Sequence, residues 1–135
     1  MRRYLFLGAF LILVSFFSIS CMKAKLDWSS PEGVVNTFAN AAKHGNYETL
    51  VKTTSGELRK ELDALGNQDL EKRFKNMENA YFTFSKKVMD MEVDNYYTIT
   101  AKITKENGNI EFLIFHVKLE EDKWLIFKII GGKNE

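Results

Sequence analysis

The chain has 135 residues, with 19 Lys and Arg against 18 Asp and Glu, two His and a single Cys. So even a balance excludes a global electrostatic draw toward nucleic acid, and one cysteine excludes a disulfide within the chain. Hydrophobic residues at 45%, charged residues at 27% and one proline exclude a disordered polymer and describe a folded domain.

The first predicted element is an export signal over residues 1–20. Arg2 and Arg3 give a basic start, Tyr4 to Phe17 an apolar stretch, and Ser18-Ile19-Ser20 small residues before a cut, the three parts such a signal needs. The apolar stretch is shorter than the ~20 residues of a bilayer-spanning helix. Removing it leaves 115 residues with 17 cationic against 18 anionic side chains, a length suited to one domain.

Ser18-Ile19-Ser20-Cys21 resembles a bacterial lipobox, the motif at which lipoproteins are lipidated on cysteine and cut just before it. Ser18 departs from the aliphatic residue usual in that family, and ordinary signal peptidase would instead leave Cys21 as a free thiol. The position of the only cysteine directly at the predicted cut favours lipidation, because thioether formation removes a thiol that export would open to oxidation. The resemblance implies Cys21 as the lipid-attachment residue, a membrane tether over residues 21–28, and a domain held outside the cytoplasm in a bacterial cell envelope. Lys23 and Lys25 on that tether would each add roughly 1 kcal/mol on an anionic surface.

The domain is expected over residues 29–131, with 132–135 as a tail. Ser29 or Ser30 caps a first helix that has Pro31 at its first position, Glu32 in its first turn and Gly45 past its end. Val34, Val35, Phe38, Ala41 and Ala42 give it one apolar face. Asn46 caps a second helix with Leu50 and Val51. Ser55 caps a third with Leu58, Leu62 and Leu65, and Leu70, Phe74 and Met77 carry a fourth to about Asn79. Lys72, Arg73 and Lys75 are interleaved with Glu71 and Glu78, as on a solvated face.

From Tyr81 the period becomes two, predicting strands from Tyr81 to Val93, Tyr96 to Thr104, Ile110 to Glu120 and Lys123 to Ile130. A two-residue turn at Glu121-Asp122 pairs Leu119 with Trp124. Tyr97, Ile99, Ala101, Ile103, Leu113, Phe115, Val117 and Trp124 then share the larger apolar face, provided the loop at Asn107-Gly108-Asn109 has an odd length. Met89 joins them, and Phe82 and Phe84 follow through a bulge near Lys86-Lys87. The opposite face shows Phe112, Ile114, Leu125, Phe127 and Ile129, more apolar than a solvated face should be. Phe112, Ile114, His116, Leu125 and Phe127 are therefore the candidate interface, for a homodimer or an envelope protein partner.

Helices first and a curved four-stranded antiparallel meander after them make an α+β fold. Ser30-Pro31-Glu32-Gly33-Val34-Val35, Phe38, Gly45-Asn46-Tyr47 and Lys123-Trp124-Leu125-Ile126 resemble small bacterial lipoproteins with a cystatin-like, nuclear transport factor two-like domain of unknown function. That resemblance implies a cone with an inner pocket, here expected at Tyr97, Phe115, Trp124 and Met89, and open to a small apolar ligand. The turn before Trp124 lacks the family's glycine, and Leu125 replaces a residue commonly basic there.

Chemistry on such a fold needs an acid or base inside the pocket, and the inner face offers only Tyr97, Trp124 and Lys128. His116 falls outside beside Phe127, and His44, at the end of the first helix, suits a capping role. Asp90, Glu92 and Asp94 read as solvated edge carboxylates, and no metal-ligand spacing or phosphate loop is present. The sequence thus points to a non-catalytic binding module without cofactor, metal or nucleic acid. The alternative is a pocket enzyme of isomerase or dehydratase type using His116 or Tyr97.

Overall fold

The computed structural model describes residues 26–85, 88–89 and 95–132; the export-signal reading, Cys21 and the Asp90, Glu92 and Asp94 group lie outside them. Among the described residues four helices come first: α1 Pro31–Lys43, α2 Tyr47–Lys52, α3 Gly56–Asp63 and α4 Asn67–Phe74, the last continued by a 3-10 turn at Lys75–Met77. Ser30 caps α1 by accepting from the Gly33 N–H at 2.9 Å, and Asn46 caps α2 through Thr49 N–H. Gly45 turns the chain between them with φ of 68°, a conformation that glycine takes without a Cβ penalty. Ser55 departs from its expected role, since its hydroxyl donates to Glu120 across the domain at 3.2 Å instead of capping α3.

The strands are β1 Tyr81–Phe84, β2 Val88–Met89, β3 Tyr96–Thr104, β4 Ile110–Glu120 and β5 Lys123–Gly132. They form one antiparallel sheet in the order β1-β3-β4-β5, with β2 also on β3. The expected first strand is thus two pieces. Phe84 faces Ala101 and Val88 faces Thr98, so the two pieces differ in register by one residue; Lys86-Lys87, where a bulge is expected, lies outside the described residues. That slip keeps Phe82 and Phe84 against the core.

A five-residue connection joins Thr104 to its partner Ile110, and Gly108 supplies the left-handed residue with φ of 83°. The odd length keeps Ile99, Ala101 and Ile103 on the same face as Leu113, Phe115 and Val117, and that face is buried. Phe38 fills its centre. The Phe38 ring stands edge-on to Phe115 at 5.3 Å and to Phe74 at 5.9 Å, each pair adding about 0.5–1.5 kcal/mol beyond area burial.

One expectation needs correction. Val117 pairs with Ile126 but His116 pairs with Lys128, so Phe127 is an extra residue in β5 and everything after it changes face. Ile129, expected on the outer face, comes opposite Phe115 and packs on the core. Lys128, expected inside, turns outward.

Irregular segments finish the structure by pairing the free edge of β5. Trp124 N–H donates to the Trp28 carbonyl at 3.0 Å, Ile126 N–H to the Thr53 carbonyl at 2.8 Å, and Ser55 N–H to the Ile126 carbonyl at 2.9 Å. Asp27 N–H also donates to Thr37 Oγ1. The last residues of the expected tether, Asp27 and Trp28, are therefore bonded into the domain. Among the described residues no helix is long and apolar enough to cross a membrane.

Candidate functional site

Gly56, with φ of 61°, turns the chain away from the β5 edge and into α3. Between α3, α4, Met77 and the second half of β5 this leaves a groove of about 730 Å3. Leu58, Phe74, Met77, Leu113, Ile129 and Gly131 line it with apolar surface, while Glu57, Glu61, Arg73, Lys118 and Lys128 stand around it. A Cβ at position 131 would come within 2.8 Å of Leu113 Cδ2, so glycine there keeps the sheet wall of the groove shallow.

Four of the five charges around the groove are held in ion pairs, one of them within the lining and two with residues beside it. Arg73 donates to Glu61 at 2.7 Å, Glu57 accepts from Lys60 at 2.8 Å, and Lys118 pairs with Glu120 at 2.7 Å while lying over the Phe127 ring. Among the described residues no group of three or more His, Cys, Asp or Glu is placed to hold a metal ion.

The pocket expected at Tyr97, Phe115, Trp124 and Met89 is not where the groove lies. Phe115 is fully buried with its ring against that of Phe38. Tyr97 and Trp124 do meet, with ring centroids 5.2 Å apart, but near the turned end of β4 and β5 and outside the groove lining. Met89 pairs through its backbone with Tyr97; its side chain lies outside what the structure describes.

The candidate interface divides into two parts. Phe112 and Ile114 lie with Ile130 on the outer face, where Ile114 pairs directly with Ile130, and the row continues to Ile110 and Tyr81 through Thr104. Tyr81 is 69% exposed, and Ile110, Phe112 and Ile130 are each more than 40% exposed, a contiguous apolar patch facing away from the helices.

His116 and Phe127 belong to a separate, self-packed group with Tyr96, while Leu125 is half-buried opposite Lys118. The Phe127 ring lies 5.5 Å from Tyr96 and 6.0 Å from His116. Tyr96 Oη is hydrogen-bonded to His116 Nδ1, and Nε2 is buried without a partner. Burial, and secondarily the Lys128 cation, push the imidazole below its usual range. The charged form of His116 is thus disfavoured, and the residue lies outside the groove lining. His44 is the C-cap residue of α1, its N–H donating to the Asn40 carbonyl at 3.1 Å.

Sequence reasoning missed Leu58, Phe74 and Met77 as groove residues, although all three stand at helical spacing on short segments. The available signal was Gly131-Gly132 at the end of an otherwise apolar strand, where missing side chains leave room beside the helices.

No family model matches the chain, and no curated protein matches it. Among solved structures it is similar to a Xanthomonas campestris chain described as a calcium/calmodulin dependent protein kinase II association domain. The identity is 13% and the TM-score 0.49, over 74% of this chain and 82% of that one. At that distance the likeness carries no function across.

Proposed function

We propose that this protein is exported, lipidated on Cys21, and serves at a bacterial cell envelope as a non-catalytic binding module whose ligand lies in the groove beside β5. The observation that carries the binding half is the groove itself, an apolar floor of Leu58, Phe74, Met77, Leu113 and Ile129 with the Arg73–Glu61 ion pair beside it. Such a site rewards shape and apolar burial. Proton transfer would need an acid or base within about 3 Å of a substrate, and His116 lies outside the groove lining.

The anchoring half rests on the order of residues 1–21 in the sequence. It is tested by expressing the chain and Cys21→Ser in a bacterial host. The parent should sediment with membranes and carry added lipid mass, and the variant should lose both; unchanged sedimentation overturns the anchor. For the binding half, native mass spectrometry of a chain starting at Met22 should retain or take up a ligand. A bare chain that accepts neither peptide nor acyl probes overturns it.

The exposed patch of Tyr81, Ile110, Phe112 and Ile130 favours a second, protein-directed contact. Patches of this kind on a sheet face mark interfaces more often than solvent-facing surface.

A further inference from the structure

Alternation along β4 decides where the backbone of β5 points. Leu119 N–H donates toward β3, to the Asn95 carbonyl, so the odd-numbered residues of β4 turn their peptide groups to β3 and the even-numbered ones to β5. Ile129 and Gly131 pair with Phe115 and Leu113, both odd. Their N–H and C=O groups therefore point outward, over the groove.

Upstream of Phe127 the outward Trp124 N–H and both outward groups of Ile126 are used, by Trp28, Thr53 and Ser55. Thr54 even forms a parallel bridge with Ile126, so the protein's own chain already adds to this edge as a short extended strand. Gly56 then leads it away. No described residue supplies Ile129 or Gly131 with a backbone partner of that kind, and the extra residue at Phe127 marks where coverage stops.

From this juxtaposition of outward peptide groups and an apolar floor we infer that the groove receives an extended peptide segment of another protein, which adds to β5 at Ile129 and Gly131 as a further strand. A small apolar ligand would fill the floor and leave these backbone groups unanswered. An extended peptide satisfies both, since alternate side chains enter the groove while the main chain pairs with the edge. Its inward positions should be apolar and of medium size, to reach Leu58, Phe74 and Met77.

The inference rests on the groove being a binding site, and the experiment separates the two. A displayed decapeptide library is selected on a chain starting at Met22, which keeps every described core residue. Selected peptides should show apolar residues at alternate positions and should slow amide exchange at Ile129 and Gly131. N-methylation of a peptide amide that faces β5 should weaken binding about tenfold, as loss of one hydrogen bond does, while N-methylation one position along should not.

Peptides that bind without protecting those amides, or that tolerate N-methylation at every position, overturn strand addition. Displacement of every selected peptide by a fatty acid, with no peptide protecting the edge, overturns it too while leaving the binding reading intact. Protection of Ile129 in the unliganded chain only at dimerising concentration would assign the edge to a second copy instead.

Discussion

Tyr96 on β3 and His116 on β4 are joined by a hydrogen bond between Oη and Nδ1, and this contact leaves the other ring nitrogen of His116 closed off and unpartnered. Burial disfavours the charged imidazolium, whose N–H at that buried nitrogen has nothing to accept it, and the nearby Lys128 cation adds to this. The folded-state pKa is accordingly lowered below the unfolded value. With pKa lower in the fold, the unfolded chain binds the extra proton, so stability from this residue is full above about pH 6.5 and declines as pH falls toward the folded pKa. His116→Gln should flatten that decline. Thermal midpoints of both proteins at about pH 7.5 and pH 5.5 check it, and an equal drop in the two would assign the loss to other groups.

Glu121 and Asp122 form the two-residue turn between β4 and β5 with φ of 46° and 64°. Hairpins of this kind favour Asn-Gly because both positions need φ above zero, and neither residue here escapes the Cβ penalty. Asp122→Gly should stabilise the protein by about 0.5–1 kcal/mol, the strain relieved being larger than the entropy added to the unfolded chain. Urea unfolding measures this as a higher midpoint at unchanged slope; a lower midpoint would mean that Asp122 makes a contact worth more than the strain.

The periodic parts of the fold were legible because burial enforces period. The α1 face of Val34, Val35 and Phe38, the strand face of Ile99, Ala101 and Phe115, and the one-residue change of register between Phe84 and Val88 all follow from keeping apolar side chains together. Phe127 broke the count, since Leu125, Phe127 and Ile129 alternate as well in sequence as a flat strand does; only the neighbouring strand reveals the slip. Trp28, Thr53 and Ser55 were invisible for another reason. They hold the β5 edge through backbone groups, which every residue possesses. The groove lies away from the expected inner pocket, and no pattern of types says that Phe38 reaches across to Phe115.

Phe38 shows what that contact is worth. It is fully buried and contacts Phe74 and Phe115 edge-on, joining α1, α4 and β4. Phe38→Ala should cost about 3–5 kcal/mol, a large share of a small domain's stability, while Phe38→Leu should cost less by retaining most of the volume. Denaturant midpoints test the order. Should the cavity left by Phe38→Ala open the cone, the variant will also bind small aromatic molecules that the parent refuses.

Phe112 and Ile130 set the opposite test, since each is more than 40% exposed and little of their burial depends on folding. Phe112→Ser with Ile130→Ser should change stability by only about 1 kcal/mol, and if two copies pair through the patch it should remove much of that pairing. Lys102 pairs beside Phe112, and Lys128 lies one strand over from His116 on the same face. Two copies meeting there would bring these cations together, so association should strengthen as salt screens them. Sedimentation velocity of the parent and the double variant at low and high salt reads both effects. A parent that stays monomeric at tens of micromolar in high salt would exclude self-pairing and leave the patch to a partner carrying acidic residues, whose binding salt would weaken instead.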